Sequence, residues 1–94
     1  MDSDQRSCLF WACFLGLDRI AEILLDAGAS PTVANKSGKH CLHVAVIQGH
    51  RNIVRLLLMY KVSPNVVDNA GRTPALIATQ REKASLLVLL LNHG

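Results

Sequence analysis

The chain repeats itself at a spacing of 33 residues. Sliding the sequence by that step lays Leu9-Phe10-Trp11-Ala12 on Leu42-His43-Val44-Ala45, and Ala45 on Ala78. Gly16 falls on Gly49, Gly38 on Gly71 and Pro31 on Pro64. Ile20 falls on Ile53 and then Leu86, while Ile23-Leu24-Leu25 falls on Leu56-Leu57-Leu58 and then on Leu89-Leu90-Leu91. One register holds all of these matches without a gap. Such agreement restricts the fold to a stack of copies of one supersecondary unit, each too small to bury its apolar face alone.

Each unit reads alike. In the middle one, a short apolar helix is predicted over Cys41 to Gln48, stopped by Gly49. A second helix is predicted over Asn52 to Tyr60, with Ile53, Leu56, Leu57 and Tyr60 at the i, i+3, i+4, i+7 spacing of one face. Ser63-Pro64-Asn65 and Asp68-Asn69-Ala70-Gly71 then suit a projecting loop or hairpin. About three units are needed for stability. A chain of 94 residues accommodates them as a single domain, with units over about 2–34, 35–67 and an incomplete 68–94.

Half the residues are hydrophobic, yet Phe10, Trp11, Phe14 and Tyr60 are the only aromatics. The core must be aliphatic, which suits stacked helices better than a sandwich of aromatic-rich strands. A formal charge of +3 is too weak to argue for nucleic acid, and no aromatics sit among basic residues to stack on bases. It favours an acidic partner slightly. Cys8, Cys13 and Cys41 are an odd count inside apolar runs, and read as small buried thiols of a reducing compartment. Arg6, the apolar run Cys8 to Leu17 and Ala27-Gly28-Ala29 imitate a secretory signal. Asp18, Arg19, Glu22 and Asp26 intervene before that site, and Asp2 and Asp4 spoil its basic start. No apolar stretch reaches the ~18 residues that span a bilayer, so an intracellular protein, cytoplasmic or nuclear, is expected.

The third unit contains Asp68-Asn69-Ala70-Gly71-Arg72-Thr73-Pro74, and the middle one Leu42-His43-Val44-Ala45, Gly49-His50 and Ile53-Val54-Arg55-Leu56-Leu57-Leu58. These residues resemble the D-x-x-G-x-T-P, L-H-x-A, G-H and I-V-x-x-L-L segments of the ankyrin repeat. Gly28-Ala29 in the first unit and Asn65 in the second resemble its G-A-x-x-N ending. The resemblance covers about Asp2 to Gly94. It implies an all-α solenoid of stacked helix-turn-helix units with projecting hairpin loops. Departures are local: Gln5 stands at the loop glycine, Lys61-Val62 at the Gly-Ala that ends the second helix, Glu82 at the inter-helix glycine and Leu76 at the motif histidine. A non-glycine residue closing a helix in the left-handed conformation costs roughly 1 kcal/mol.

No motif supports catalysis. The chain has no Gly-x-Ser-x-Gly elbow, no phosphate loop and no paired carboxylates in an apolar setting. Asp18, Glu22 and Asp26 read as a solvated helix face. His40, Cys41 and His43 invite a metal, but nothing completes a set of four ligands. The resemblance instead makes His43 a hydrogen-bonded bridge between units, and no cofactor or metal is expected. Asn65 resembles the residue that an asparaginyl hydroxylase modifies in such repeats, with Ser63 replacing the usual acidic neighbour; the plainer reading is a turn residue.

The resemblance also implies a scaffold or adaptor whose protein partner is held by the loop tips and the concave side of the first helices. The alternatives are an inhibitory or regulatory module that occludes a partner's functional surface and a structural fragment of a longer array. The tips are Lys36, Ser37 and Lys39, then Asn69, Ala70 and Arg72; the concave positions are Phe14, Leu15, Ile47, Gln48, Gln80 and Arg81. They predict an apolar corner of Phe14, Leu15 and Ile47 grading into a basic edge of Lys36, Lys39, Arg72 and Arg81. Neither nucleic acid nor membrane insertion is expected. Leu86 to Leu91 is apolar without interruption, and Val88 stands where earlier units place Glu22 and Arg55. Terminal repeats normally present a polar outer face. Something is therefore expected to cover Val88 and Leu91, either further repeats or a second copy.

Overall fold

A computed structural model describes residues 4–29, 31 and 38–93. The described residues form six helices: α1 (Asp4–Leu15), α2 (Asp18–Asp26), α3 (Cys41–Gln48), α4 (Arg51–Met59), α5 (Pro74–Gln80) and α6 (Ala84–His93). Helices α1, α3 and α5 form one layer and α2, α4 and α6 a second, each unit contributing one helix to each. The stack measures 33 × 25 × 21 Å.

Local chemistry places the breaks. Thr73 caps α5 through its Oγ, which accepts from the Leu76 N–H at 3.2 Å, and Pro74 occupies the first turn where its missing N–H is harmless. The two helices of each unit are joined by a residue in the left-handed region: Gly16 at φ 77°, Gly49 at 76° and, against the usual preference, Glu82 at 55°. Lys61 keeps the same conformation at φ 65°, as its place after α4 requires. The tight reversal survives both substitutions because packing on either side dictates it.

Stacking supplies the core, which is aliphatic as expected. Leu9, Leu42, Ile53, Leu57, Val46 and Val54 are fully enclosed, each buried aliphatic contributing about 1.5–3 kcal/mol. The second helix of the middle unit differs from expectation by a small rotation and a one-residue shift. Its enclosed face is Ile53, Val54, Leu57 and Leu58, with Leu56 half-buried and Tyr60 exposed beyond the helix end. Helix α4 is covered both by α2 before it and by α6 after it, so two neighbours widen its apolar stripe beyond a single face. Cys8 is also a correction. It is exposed, while Cys13 and Cys41 are buried.

The same repeat position is not buried alike in every unit. Ile20 is 46% exposed, whereas its equivalents Ile53 and Leu86 are at 0% and 3%. At the other end Leu91 is 65% exposed, whereas Leu25 and Leu58 are each at 6%. Each inner position is covered by a neighbouring unit that the outer one lacks within the described stack.

Candidate functional site

Within the loop that links α4 to α5, the turn from Asp68 to Arg72 is built around one carboxylate. Asp68 Oδ1 accepts the backbone N–H groups of Ala70 and Arg72, both at 2.9 Å. Its Oδ2 accepts Arg72 Nε at 3.2 Å and Lys39 Nζ at 3.3 Å. The Arg72 N–H bond, followed by those from Lys39 and Ala70, outweighs burial and holds the Asp68 carboxyl well below the usual carboxylate range. The Asp68 N–H in turn donates to the Arg72 carbonyl at 3.0 Å, closing the turn.

His43 fastens this turn to α3. Its Nε2 lies 2.9 Å from the Arg72 carbonyl, which can only accept, so Nε2 carries the proton and Nδ1 accepts the His40 N–H at 3.0 Å. Burial pushes its pKa below the ordinary 6.5, with the bond to Arg72 acting in the opposite direction. A neutral ring satisfies both bonds at once.

Next to this node lies a hollow of about 400 Å³ lined by Lys39, Ile47, Arg72, Ile77, Gln80 and Arg81. Five of those six stood among the residues singled out from sequence, drawn from α3, α5, the two loops before them and the C-cap of α5. Ile77 was missed. Its signal was its place one turn before Arg81, the residue that caps the same helix. Three cations against the single Asp68 carboxylate give the hollow a net positive rim, and Ile47 and Ile77 give it an apolar floor.

The other singled-out positions lie elsewhere. Phe14 does not join Ile47; it packs edge-on against Trp11, ring centroids 5.8 Å apart at 89°, and with Phe10 and Val44 lines a separate apolar hollow of about 260 Å³. The expected apolar corner is thus two places, and Trp11 belongs to the first. Leu15 and Gln48 are exposed, as are Asn69 and Ala70 on the loop. Asn69 packs so closely on Gly38 that a side chain at 38 would meet the Asn69 backbone nitrogen at 2.6 Å. Lys36 and Ser37 lie outside the described residues. Val88 and Leu91 are both exposed on α6.

Asp18, Glu22 and Asp26 on helix α2 are exposed, as expected, and two of them carry surface hydrogen bonds as well: Asp18 accepts from Asn52 Nδ2 at 3.1 Å, and Asp26 accepts from the Tyr60 hydroxyl. Both reach from the first unit to the second. Among the described residues, no group of three His, Cys, Asp or Glu stands close enough to hold a metal ion. The Cys13 thiol is pushed up by a hydrogen bond with the Cys41 thiol and then by burial. Asn65 is exposed, and its N–H donates to Ser63 Oγ at 3.2 Å, so the serine hydroxyl shapes this turn. Among the described residues no helix is long and apolar enough to cross a membrane.

A family model described as ankyrin repeats in three copies covers residues 9–94. No curated protein matches the chain.

Proposed function

Because the chain belongs to the ankyrin-repeat family, we propose that it is a non-catalytic module that binds one protein partner across its loop tips and the concave side of its first helices. Ankyrin repeats are in general protein–protein interaction modules and typically lack catalysis. The observation that carries the reading is the hollow beside the Asp68 turn, where Lys39, Ile47, Arg72, Gln80 and Arg81 converge from two units. An apolar floor beside cations has the composition of an interaction hot spot. Phe14 with Trp11 supplies a second, aromatic anchor.

Lys39 and Arg72 also hold Asp68, so a test of binding must spare them. Affinity capture from cells with the wild-type chain is compared with capture by Gln80→Glu/Arg81→Glu and by Phe14→Ala, all checked to melt alike. A bound protein lost from the double variant, and weakened by about 1–3 kcal/mol by Phe14→Ala, is the expected result. Proteins recovered equally by all three chains would defeat the reading.

A second reading is favoured by Leu91, which stands open where Leu25 and Leu58 are covered by the next unit. On this reading another helix pair of the same kind continues the stack over α6 and covers Val88 and Leu91. Binding of an apolar dye that disappears in Val88→Glu/Leu91→Lys is expected. A wild-type chain that binds no dye and sediments as a monomer at high concentration would remove it.

A further inference from the structure

Resting on the binding reading above, we infer that the hollow between α3 and α5 takes an extended acidic peptide, seating one aliphatic side chain on Ile47 and Ile77 and a neighbouring carboxylate on Arg72 and Arg81. Asp68 makes the choice of ligand specific. Its carboxylate engages the Arg72 guanidinium through Nε alone, which fixes the guanidinium plane while the two terminal nitrogens make no bond to any described residue. A guanidinium held in that way offers a ready two-pronged seat for a carboxylate, and the ordering that binding would otherwise require has already occurred on folding. The Arg81 side chain makes no hydrogen bond or ion pair with any described residue and is exposed at the same rim.

Charge and shape agree on the class. Among the described residues, Lys39, Arg72 and Arg81 face the Asp68 carboxylate at the hollow, a positive excess that suits an acidic side chain. Ile77 is nearly closed off and Ile47 half-buried, so the floor accepts an aliphatic side chain but adds nothing for a purely ionic ligand. Gln80 stands beside them with an amide that can both donate to and accept from a peptide main chain. No aromatic residue lines the hollow, which removes the stacking surface that single-stranded nucleic acid uses. A volume of about 400 Å³ lies at the small end of the range for ligand pockets, about 300–1,000 Å³, and suits one side chain with its flanking acid.

The test is selection of random dodecapeptides displayed on phage against the wild-type chain, followed by fluorescence anisotropy with the recovered sequences. The expected peptides place Leu, Ile, Val or Met within two residues of Asp or Glu. Their affinity is expected to fall at least ~10-fold, about 1.4 kcal/mol, in Arg81→Glu and on replacing the peptide's aliphatic residue by Ser. It should also weaken with added salt. Arg55→Glu, the same charge reversal on the outer groove beside Asp18 and Glu22, is expected to leave affinity unchanged. Recovery of basic or uncharged peptides, an equal loss in both variants, or no enrichment would overturn the inference, as would displacement of a selected peptide by single-stranded RNA. If cellular capture still depends on Gln80 and Arg81 while no acidic peptide is selected, the peptide class fails and the binding module stands. If acidic peptides are selected but capture ignores those residues, the larger reading fails instead.

Discussion

The junction between the first and second units and that between the second and third are built from the same repeat yet joined by different physics. At the second junction the ties are buried: His43 and Asp68 are enclosed, and each satisfies several backbone groups. At the first junction the polar ties lie at the surface. His50 Nε2 donates to the Phe14 carbonyl at 3.0 Å, Asn52 to Asp18, and Tyr60 to Asp26. Phe10 stands there where His43 stands in the next unit. A buried polar group left without its partner costs its full desolvation, whereas water replaces a lost surface bond. Equal sequence spacing therefore does not mean equal coupling, and the second junction should be the more sensitive of the two.

Substitutions test that contrast directly. Asp68→Ala removes the acceptor of two backbone N–H groups and leaves Lys39 and Arg72 facing each other, so it should depress the melting temperature more than any other change considered. His43→Leu comes next: it orphans the His40 N–H and breaks the tie to Arg72, at a cost of about 1–3 kcal/mol and a fall in Tm of roughly 5–20 °C by calorimetry. At the first junction, Asn52→Ala should stay within about 0.5 kcal/mol. A first-junction loss as large as that of His43→Leu would abolish the distinction.

Acid separates the junctions in the same way. His43 has a folded pKa below its unfolded value, so the unfolded chain binds the extra proton. Its contribution is complete above about pH 6.5 and drains away as pH falls through the lower folded value. Asp68, whose carboxyl is also depressed, adds a second loss once pH drops below about 3.9. Melting curves of wild type and His43→Gln should converge as pH falls below 6.5; parallel curves would count against the neutral-ring bridge.

Two smaller effects sharpen the picture. Lys61→Gly relieves a left-handed residue at φ 65° and should stabilise by about 0.5–1 kcal/mol, read as a Tm rise of a few degrees. The Tyr60 phenol, bonded to Asp26, is pushed up to about 12. Any stability it lends is present below the ordinary value near 10 and lost as pH rises through about 12. Ultraviolet titration should show that late ionisation, and Asp26→Asn should return it toward the ordinary value. A phenol titrating at the same pH in both chains would show that the first junction lacks this tie.

Much of this was legible in sequence because it depends on nearest neighbours along the chain. Cys41–Gln48 emerged at the expected bounds, since an apolar run stopped by glycine defines a short helix without outside help. The role of His43 followed from the family resemblance, and five of the six residues lining the basic hollow came from repeat register. What went unread depends on packing across units. Val54 and Leu58 displaced Leu56 and Tyr60 from the enclosed face because two neighbours press on α4. The bonds that the exposed Asp18 and Asp26 accept from Asn52 and Tyr60 went unread because the donors belong to the next unit. Trp11 passed unnoticed because its register position is occupied in later units by Val44 and Ile77, ordinary aliphatic residues.

By itself the sequence determined the repeating unit, its helix pair, its turns and its aliphatic composition, all set by local spacing and backbone preference. Tertiary structure alone decided which copy of a repeated position is covered, and where positions 33 residues apart meet. Ile20 and Ile53 occupy one place in the pattern and opposite surroundings in the stack. Burial belongs to the pair of units in contact, not to either one, and no single unit's residues encode the presence of its neighbour.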